Sequence, residues 1–376
     1  MAAEPSGAES IWTGPLRGEV VYLYAYDIAY DFRREPHELK DLLGVPIERA
    51  GVDRSKRHPR LPQAVQARIR LPGFAFDGPH GRVEVHLTVK VLSVGAISIA
   101  VRVPLTAAGF DDLVAYHDLR IDDTTLDRRV REIAEKILAE LRPWCVRPVD
   151  RPLEEEPYTV FCLDPPGGGG GFDALDWLER ERPRVAALLT QEPVLGLLSR
   201  QEVDESTVRA LSYYRHDLAV IDWDAALLVD DPSMFDQILW VLELANVQLT
   251  ELEAYDRLLE TAAESAYADL RQAGGSRRAI LRDIAALRID LGRMSDELQN
   301  IGKLYGDWHL ARAHQAIADR LHLVEWHHAI DAKLTTLDEL YQFLQQERMN
   351  RWMLVLEITI VLLFVLDLVL LVVGKG

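Results

Sequence analysis

Glu19–Ile28 reads EVVYLYAYDI. Val and Tyr, types that pack well on a pleated half-buried surface, dominate it, so it is expected to form a strand. Three more strands are expected downstream, in QARIRLPGFAF (66–76), GRVEVHLTVKVLSV (81–94) and GAISIAVRVPL (95–105). TLDRRVREIAEKILAELRPW (125–144) then places Val130, Ile133, Ile137 and Leu141 three and four apart before Pro143, the spacing of one helix face. REPHELKDLLG (34–44) reads as a short helix closed by Gly44. Together these define an α+β unit over 17–150, after a polar, small-residue start at 1–16 that is expected to be disordered.

A second α+β stretch is expected over 151–231. YTVFCL (158–163) reads as a strand, DPPGGGGG (164–171) as a break and FDALDWLERERPRVAALL (172–189) as a helix. DESTVRALSYYRHDLAVIDWDAALLVDD (204–231) holds one or two strands. The spacing does not say whether the two stretches share one domain. The Gly run lacks the Gly-Lys-Ser/Thr ending of a phosphate loop and reads as a connector.

Beyond Pro232 the pattern is helical to the end. Ile238, Leu242, Ala245, Leu249, Leu252, Tyr255 and Leu259 form one stripe, and Gly274 and Gly275 break it. Ile280, Ile284, Leu287, Leu291, Met294, Leu298 and Ile301 form a second stripe, and Ile330, Leu334, Leu337, Tyr341 and Leu344 a third. Such regular 4-3 spacing predicts coiled-coil-like packing over 232–350. Leu242, Leu249, Leu291 and Leu298 are the expected hairpin contacts.

The last stretch, RWMLVLEITIVLLFVLDLVLLVVGKG (351–376), is nearly all apolar. A helix from Met353 to Val373 rises roughly 30 Å, the thickness of a hydrocarbon core. Its Leu, Ile, Val and Phe contribute roughly −5 to −10 kcal/mol to insertion, against about 3 for a central Asp. A single-pass transmembrane helix at 351–374 is therefore expected, with a buried soluble helix as the alternative. Arg348, Arg351 and Trp352 flank its start, and only Gly374–Gly376 follow. Those flanks predict a tail-anchored chain of the inner (cytoplasmic) membrane, its N-terminal bulk in the cytoplasm. Glu357 and Asp367 interrupt the span, pointing about 80° apart on a helical wheel. Membrane acids face a partner or a cavity, so both are candidate helix contacts; the alternative is Glu357 reaching the interface.

Composition narrows function. The net charge of −18 disfavours direct nucleic-acid binding. Two cysteines, Cys145 and Cys162, give neither a disulfide framework nor a Cys-x-x-Cys pair. No signal peptide, dinucleotide fingerprint, His-Glu-x-x-His or Gly-x-Ser-x-Gly occurs, so no catalytic residue and no cofactor is assigned. On a strand, Asp222 and Asp224 would share a face and could hold a divalent cation or act as an acid/base pair. A solvated strand surface is the ordinary reading. Five His between 309 and 328 include Glu325/His328 and Asp319/His322, short of the two Glu-x-x-His motifs of a di-metal bundle.

IDWDAALLVDD (221–231), ILWVLELANVQLTELEAYDRLLE (238–260), KLYGDWHLARAHQAIADRLHLVEWHHAIDAKLTTLDELYQFL (303–344) and RWMLVLEITIVLLFVLDLVLL (351–371) together resemble the C-terminal half of the required-for-meiotic-nuclear-division family. The matching positions are Gly306–Asp307, Leu310–Ala311–Arg312, Lys333 and Glu357, over about 215–370. The resemblance implies an α/β part, a helical hairpin and a C-terminal membrane helix, with no established enzymatic activity to carry over and a tethering role linked to organellar translation. The expectation is a membrane-tethered, self-associating scaffold with a cytoplasmic protein partner. The alternative is a membrane-bound metal-dependent enzyme with its site in the α/β region.

Overall fold

The computed structural model describes residues 12, 15–32, 39–48, 65–78, 81–121, 124–152, 157–169, 171–194, 196–271, 289 and 308–373. In chain order the strands are β1 (Leu16–Asp27), β2 (Ala29–Phe32), β3 (Asp41–Leu42), β4 (Val45–Pro46), β5 (Val65–Gly78), β6 (Gly81–Leu92), β7 (Ala96–Ala107), β8 (Arg120–Ile121) and β9 (Thr124–Thr125). Next come helix α1 (Leu126–Leu141), β10 (Cys145–Pro148), β11 (Tyr158–Leu163), α2 (Ala174–Leu189) and α3 (Arg200–Thr207). Strands β12 (Ala210–Leu211), β13 (Leu218–Ile221) and β14 (Ala225–Val229) precede the long helix α4 (Phe235–Arg271). The described helices after it are α5 (Trp308–Arg320) and α6 (Leu323–Val373).

Among the described residues an eight-stranded sheet runs β12-β13-β14-β11-β1-β7-β6-β5. It joins the two expected α+β stretches: β1 pairs with β7 on one side and with β11 on the other. All its pairs are antiparallel except β11–β14, which α2 and the β12–β13 segment connect. Strand β1 is buried on both faces, which is why its sequence is a nearly continuous run of Val, Leu and Tyr. Tyr22, Tyr24 and Tyr26 enter the main core with Ile97, Ile99, Val101 and residues of α1 and α2. On the opposite face Ala25, Leu92 and Ala96 pack with Val247 of α4. There Asn246 Nδ2 donates to Leu23 O at 3.0 Å, and α5 packs near β13.

The chain divides into two compact units, one of residues 1–251 and 298–324 and a second of 252–297 and 325–376. In the second unit Leu252, Tyr255 and Leu259 of α4 and Ile330, Leu334 and Leu337 of α6 are buried. Lys333 Nζ reaches Asp256 at 2.5 Å and Glu260 at 3.2 Å.

Most expected elements are present, and two details differ. Residues 41–46 form the β3–β4 hairpin, where a helix was expected to close at Gly44. Leu43 (φ 55°) and Gly44 (φ 71°) both sit at positive φ, the conformation of a tight two-residue hairpin turn that a helix ending would not use twice. The stretch 204–231 holds three strands, β12, β13 and β14, where one or two were expected. Of the hairpin leucines, Leu242 is buried and Leu249 is half-buried, both on the part of α4 in the first unit. Leu291 and Leu298 lie outside the described residues.

No helix among the described residues is long and apolar enough to cross a membrane. The described side chains of the final run are the fifteen from Trp352 to Leu366, and every one of them is exposed. Asp367 belongs to α6, but its side chain lies outside the described set.

Candidate functional site

Strands β13 and β14 are joined by Asp222, Trp223 and Asp224. The two carboxylates therefore sit in a turn, where a strand face was expected. Backbone bonds close this turn: Asp222 N–H donates to Ala225 O and Thr159 N–H to Asp224 O, both at 2.9 Å. Beneath it the buried Tyr158 hydroxyl points at Asp222 O (2.8 Å) and Ala225 O (3.1 Å). One hydroxyl proton serves two carbonyls, so Tyr158 ties the start of β11 to the turn. Burial pushes the Tyr158 phenol well above its ordinary range, and the adjacent carboxylates push it further.

Asp222 is 3% exposed, and its carboxylate accepts a charge-assisted bond from Arg320 Nη2, at the last residue of α5. The same guanidinium lies 5.6 Å from the Trp223 ring centroid. Trp223 in turn meets His322 at 4.9 Å, and His322 adopts φ 49° in the short link before α6. Asp224 is exposed at the turn, and partial desolvation raises its carboxyl pKa; the Asp222 charge adds to this and Arg320 offsets part of it. The turn is thus a latch between a strand hairpin and the end of a helix. Asp222 is committed to Arg320, and two adjacent carboxylates alone leave a divalent ion short of the six or more ligands it takes. No group of three His, Cys, Asp or Glu able to hold a metal occurs among the described residues. Arg320 was not anticipated as the partner, because 98 residues separate it from Asp222 and no local spacing signals the pair.

A second polar constellation also escaped the sequence reading. Lys90 of β6 donates to Glu243 of α4, whose other oxygen accepts from Ser98 Oγ at 2.6 Å. The Lys90 ammonium lies 4.3 Å from the centroid of the Trp240 ring. Lys90 alternates with the apolar Val89 and Val91, which face the opposite side of the sheet. The histidines do not assemble. His314 is buried on α5, which lowers its pKa, while the His309 ring lies beside that of Tyr213, tilted by 60°.

Among the described residues the longest exposed apolar run is on α6. Trp352, Met353, Leu354, Val355 and Leu356 precede Glu357, and Ile358, Ile360 and the run Val361–Leu366 follow, all exposed, with Phe364 at 75%. Soluble helices expose such residues singly, on one side of an amphipathic wheel.

The first unit is therefore an α/β sandwich: α1 and α2 cover one face of a mainly antiparallel sheet, and α4 and α5 the other. The chain belongs to the family described as "Uncharacterized protein MJ0711, N-terminal domain", which matches residues 17–236. A similar protein, "Uncharacterized protein MJ0711" from Methanocaldococcus jannaschii, is 22% identical over 224 residues, covering 57% of this chain and 65% of that protein. The chain thus aligns with less than two thirds of that relative's length. Among solved structures, "structure of the full-length CmaX protein" is 16% identical, covers 54% of this chain and 76% of that one, and has a TM-score of 0.20.

This membership overturns the expected kinship with the required-for-meiotic-nuclear-division family. That expectation rested on residues 215–370, whereas the match lies over the sheet-forming N-terminal half. Leucine stripes at 4-3 spacing followed by an apolar helix recur wherever helices pair, so they identify an architecture and not a lineage. The translation-linked role implied by that kinship falls with it.

Proposed function

We propose that this protein is a membrane-anchored interaction scaffold: an α/β unit that engages a cytoplasmic protein partner, attached through the apolar end of α6, with copies associating through their helices. One observation carries the reading. From Trp352 to Leu366 fifteen consecutive side chains are exposed, and all but Glu357 and Thr359 are apolar. At about 25 cal/mol per Å² such a surface is costly in water, and a hydrocarbon environment removes that cost. The sequence extends the run to Val373, about the length a bilayer needs. Arg348 and Arg351 favour keeping the preceding residues on the inner side of the cytoplasmic membrane. Glu357, and Asp367 at the sequence level, are the proposed helix contacts, since an acid in lipid gains from a hydrogen-bonding neighbour.

Flotation of membranes from cells making the full chain, or a chain ending after Asn350, is the test. The full chain should float with lipid and resist carbonate extraction, while the shortened chain should stay in the dense fractions. Equal distribution of the two would reject the anchor.

The second reading, a metal-dependent enzyme at Asp222 and Asp224, has one point in its favour: desolvation at Asp224 beside another carboxylate is a pattern shared with functional sites. Stoichiometric metal in the purified protein, lost in Asp224→Asn, would favour it over the scaffold.

A further inference from the structure

Between β12 and β13 the chain runs Ser212-Tyr213-Tyr214-Arg215-His216-Asp217. The segment is firmly held. The buried Asp217 carboxylate accepts the backbone N–H of Tyr213 at 2.6 Å and of Tyr214 at 2.9 Å. Ser212 Oγ donates to Tyr214 O at 2.6 Å, and Arg215 O accepts the Ala174 N–H at the start of α2. Yet the two tyrosines it carries are 59% and 58% exposed. Their rings meet at 86° with centroids 4.7 Å apart. His309 flanks Tyr213 at 5.5 Å, and His216 stacks on Tyr214 at 5.6 Å. A rigid support for two exposed, mutually perpendicular aromatic faces is the composition of a binding surface more than of a solvated loop.

The surroundings indicate the charge of the occupant. A mainly apolar cleft beside the cluster, lined by Leu211, Leu218, Met234, Phe235 and Ile238 among others, carries two carboxylates, Asp217 and Asp230, and His309. Burial raises the pKa of the Asp230 carboxyl, the backbone N–H of Asp231 that it accepts lowers it in part, and the Asp217 and Asp231 charges raise it against the effect of His216. Arg215 is the one fixed cation of the segment. Among the described residues, the cations lying over aromatic rings sit on Trp240, Tyr30 and Trp223 and on neither of these tyrosines.

We propose that Tyr213, Tyr214, His216 and His309, with Asp217 and Asp230 behind them, form a docking surface for a basic peptide segment whose Arg or Lys side chain lies against the tyrosine rings. Cation–π contact and acidic complementarity are the recognition chemistry. This deepens the scaffold reading by giving the chemistry of its cytoplasmic partner, and it does not depend on the membrane anchor.

The test uses the full chain in mild detergent and a fluorescent decapeptide of alternating Arg and Gly, with a Gln/Gly peptide as control. Anisotropy at physiological salt should detect the Arg peptide and not the Gln peptide. Tyr213→Ser with Tyr214→Ser, exposed changes that leave net charge unaltered, should weaken binding about tenfold, the scale of two exposed cation–π contacts. A control pair of exposed apolar residues, Val194→Ser with Leu197→Ser, should leave it unchanged. No binding, equal binding of both peptides, or equal affinity of the tyrosine variant and the parent would each overturn the proposal. None of these outcomes bears on flotation, so the anchor stands or falls separately.

Discussion

At Asp222 a single carboxylate holds the β13–β14 turn to α5, and its desolvation is repaid only because Arg320 is in place. Removing one member of a buried pair strands the other charge, which costs about 3–5 kcal/mol. Asp222→Ala should therefore lower unfolding stability by that amount. Pairing it with Arg320→Met should recover much of the loss, since a buried ion pair contributes little beyond an apolar pair of similar volume. Denaturant titration of the two single variants and the double variant measures the coupling, and simple additivity would contradict the latch. His117 offers a pH counterpart. Its Nε2 lies 2.7 Å from Leu188 O, and burial holds its pKa below the ordinary value of 6.5, only partly offset by that bond. Between those values the unfolded chain binds a proton that the native one does not, so stability falls as pH drops below about 6.5. His117→Gln should flatten the stability profile between pH 7.5 and 5.5, as followed by thermal melts.

Among the elements, β1 and β11 approach most tightly at Gly18. Its φ is 151°, and a Cβ there would lie 1.9 Å from Cys162 O, a backbone atom that cannot step aside. Gly18→Ala should cost about 3 kcal/mol or more through forced separation of the strands, read as a lower denaturation midpoint. In contrast, Lys333→Met, which removes a partly solvated contact to Asp256 and Glu260, should cost less than about 1 kcal/mol. These cases mark how far the sequence could be read. The Val- and Tyr-rich strands, α1 with its buried Val130, Ile137 and Leu141, and the stripe on α4 were legible because local periodicity reports burial. The closing of two α+β stretches into one sheet was not, because strand neighbours such as Val20 and Phe161 are set by pairing across more than a hundred residues. Arg320 and Glu243 were missed for the same reason: each is defined by a partner remote in sequence. The β3–β4 turn was misread because Gly44 serves a helix end and a two-residue hairpin equally well.

Across the whole molecule, the exposed run of α6 can be relieved by lipid or by other helices, and the two differ in symmetry. Lipid surrounds a helix, so the penalty for a charge depends on its depth and not on its direction. A helical partner touches one stripe, so the penalty follows a period of 3.6 residues. Ile360, Val361, Leu362 and Leu363 step through one full turn near the middle of the sequence run and are all exposed. Placing Arg at each in turn should, under the bilayer reading, reduce membrane retention similarly at all four, by about 3 kcal/mol of insertion free energy. Glu357→Gln should preserve retention while weakening crosslinking between copies, because an acid near a membrane boundary serves a neighbouring helix more than insertion itself. Carbonate extraction and in-membrane crosslinking of the same five variants separate these effects. A loss confined to one or two of the four Arg positions would identify a protein partner as what covers this helix.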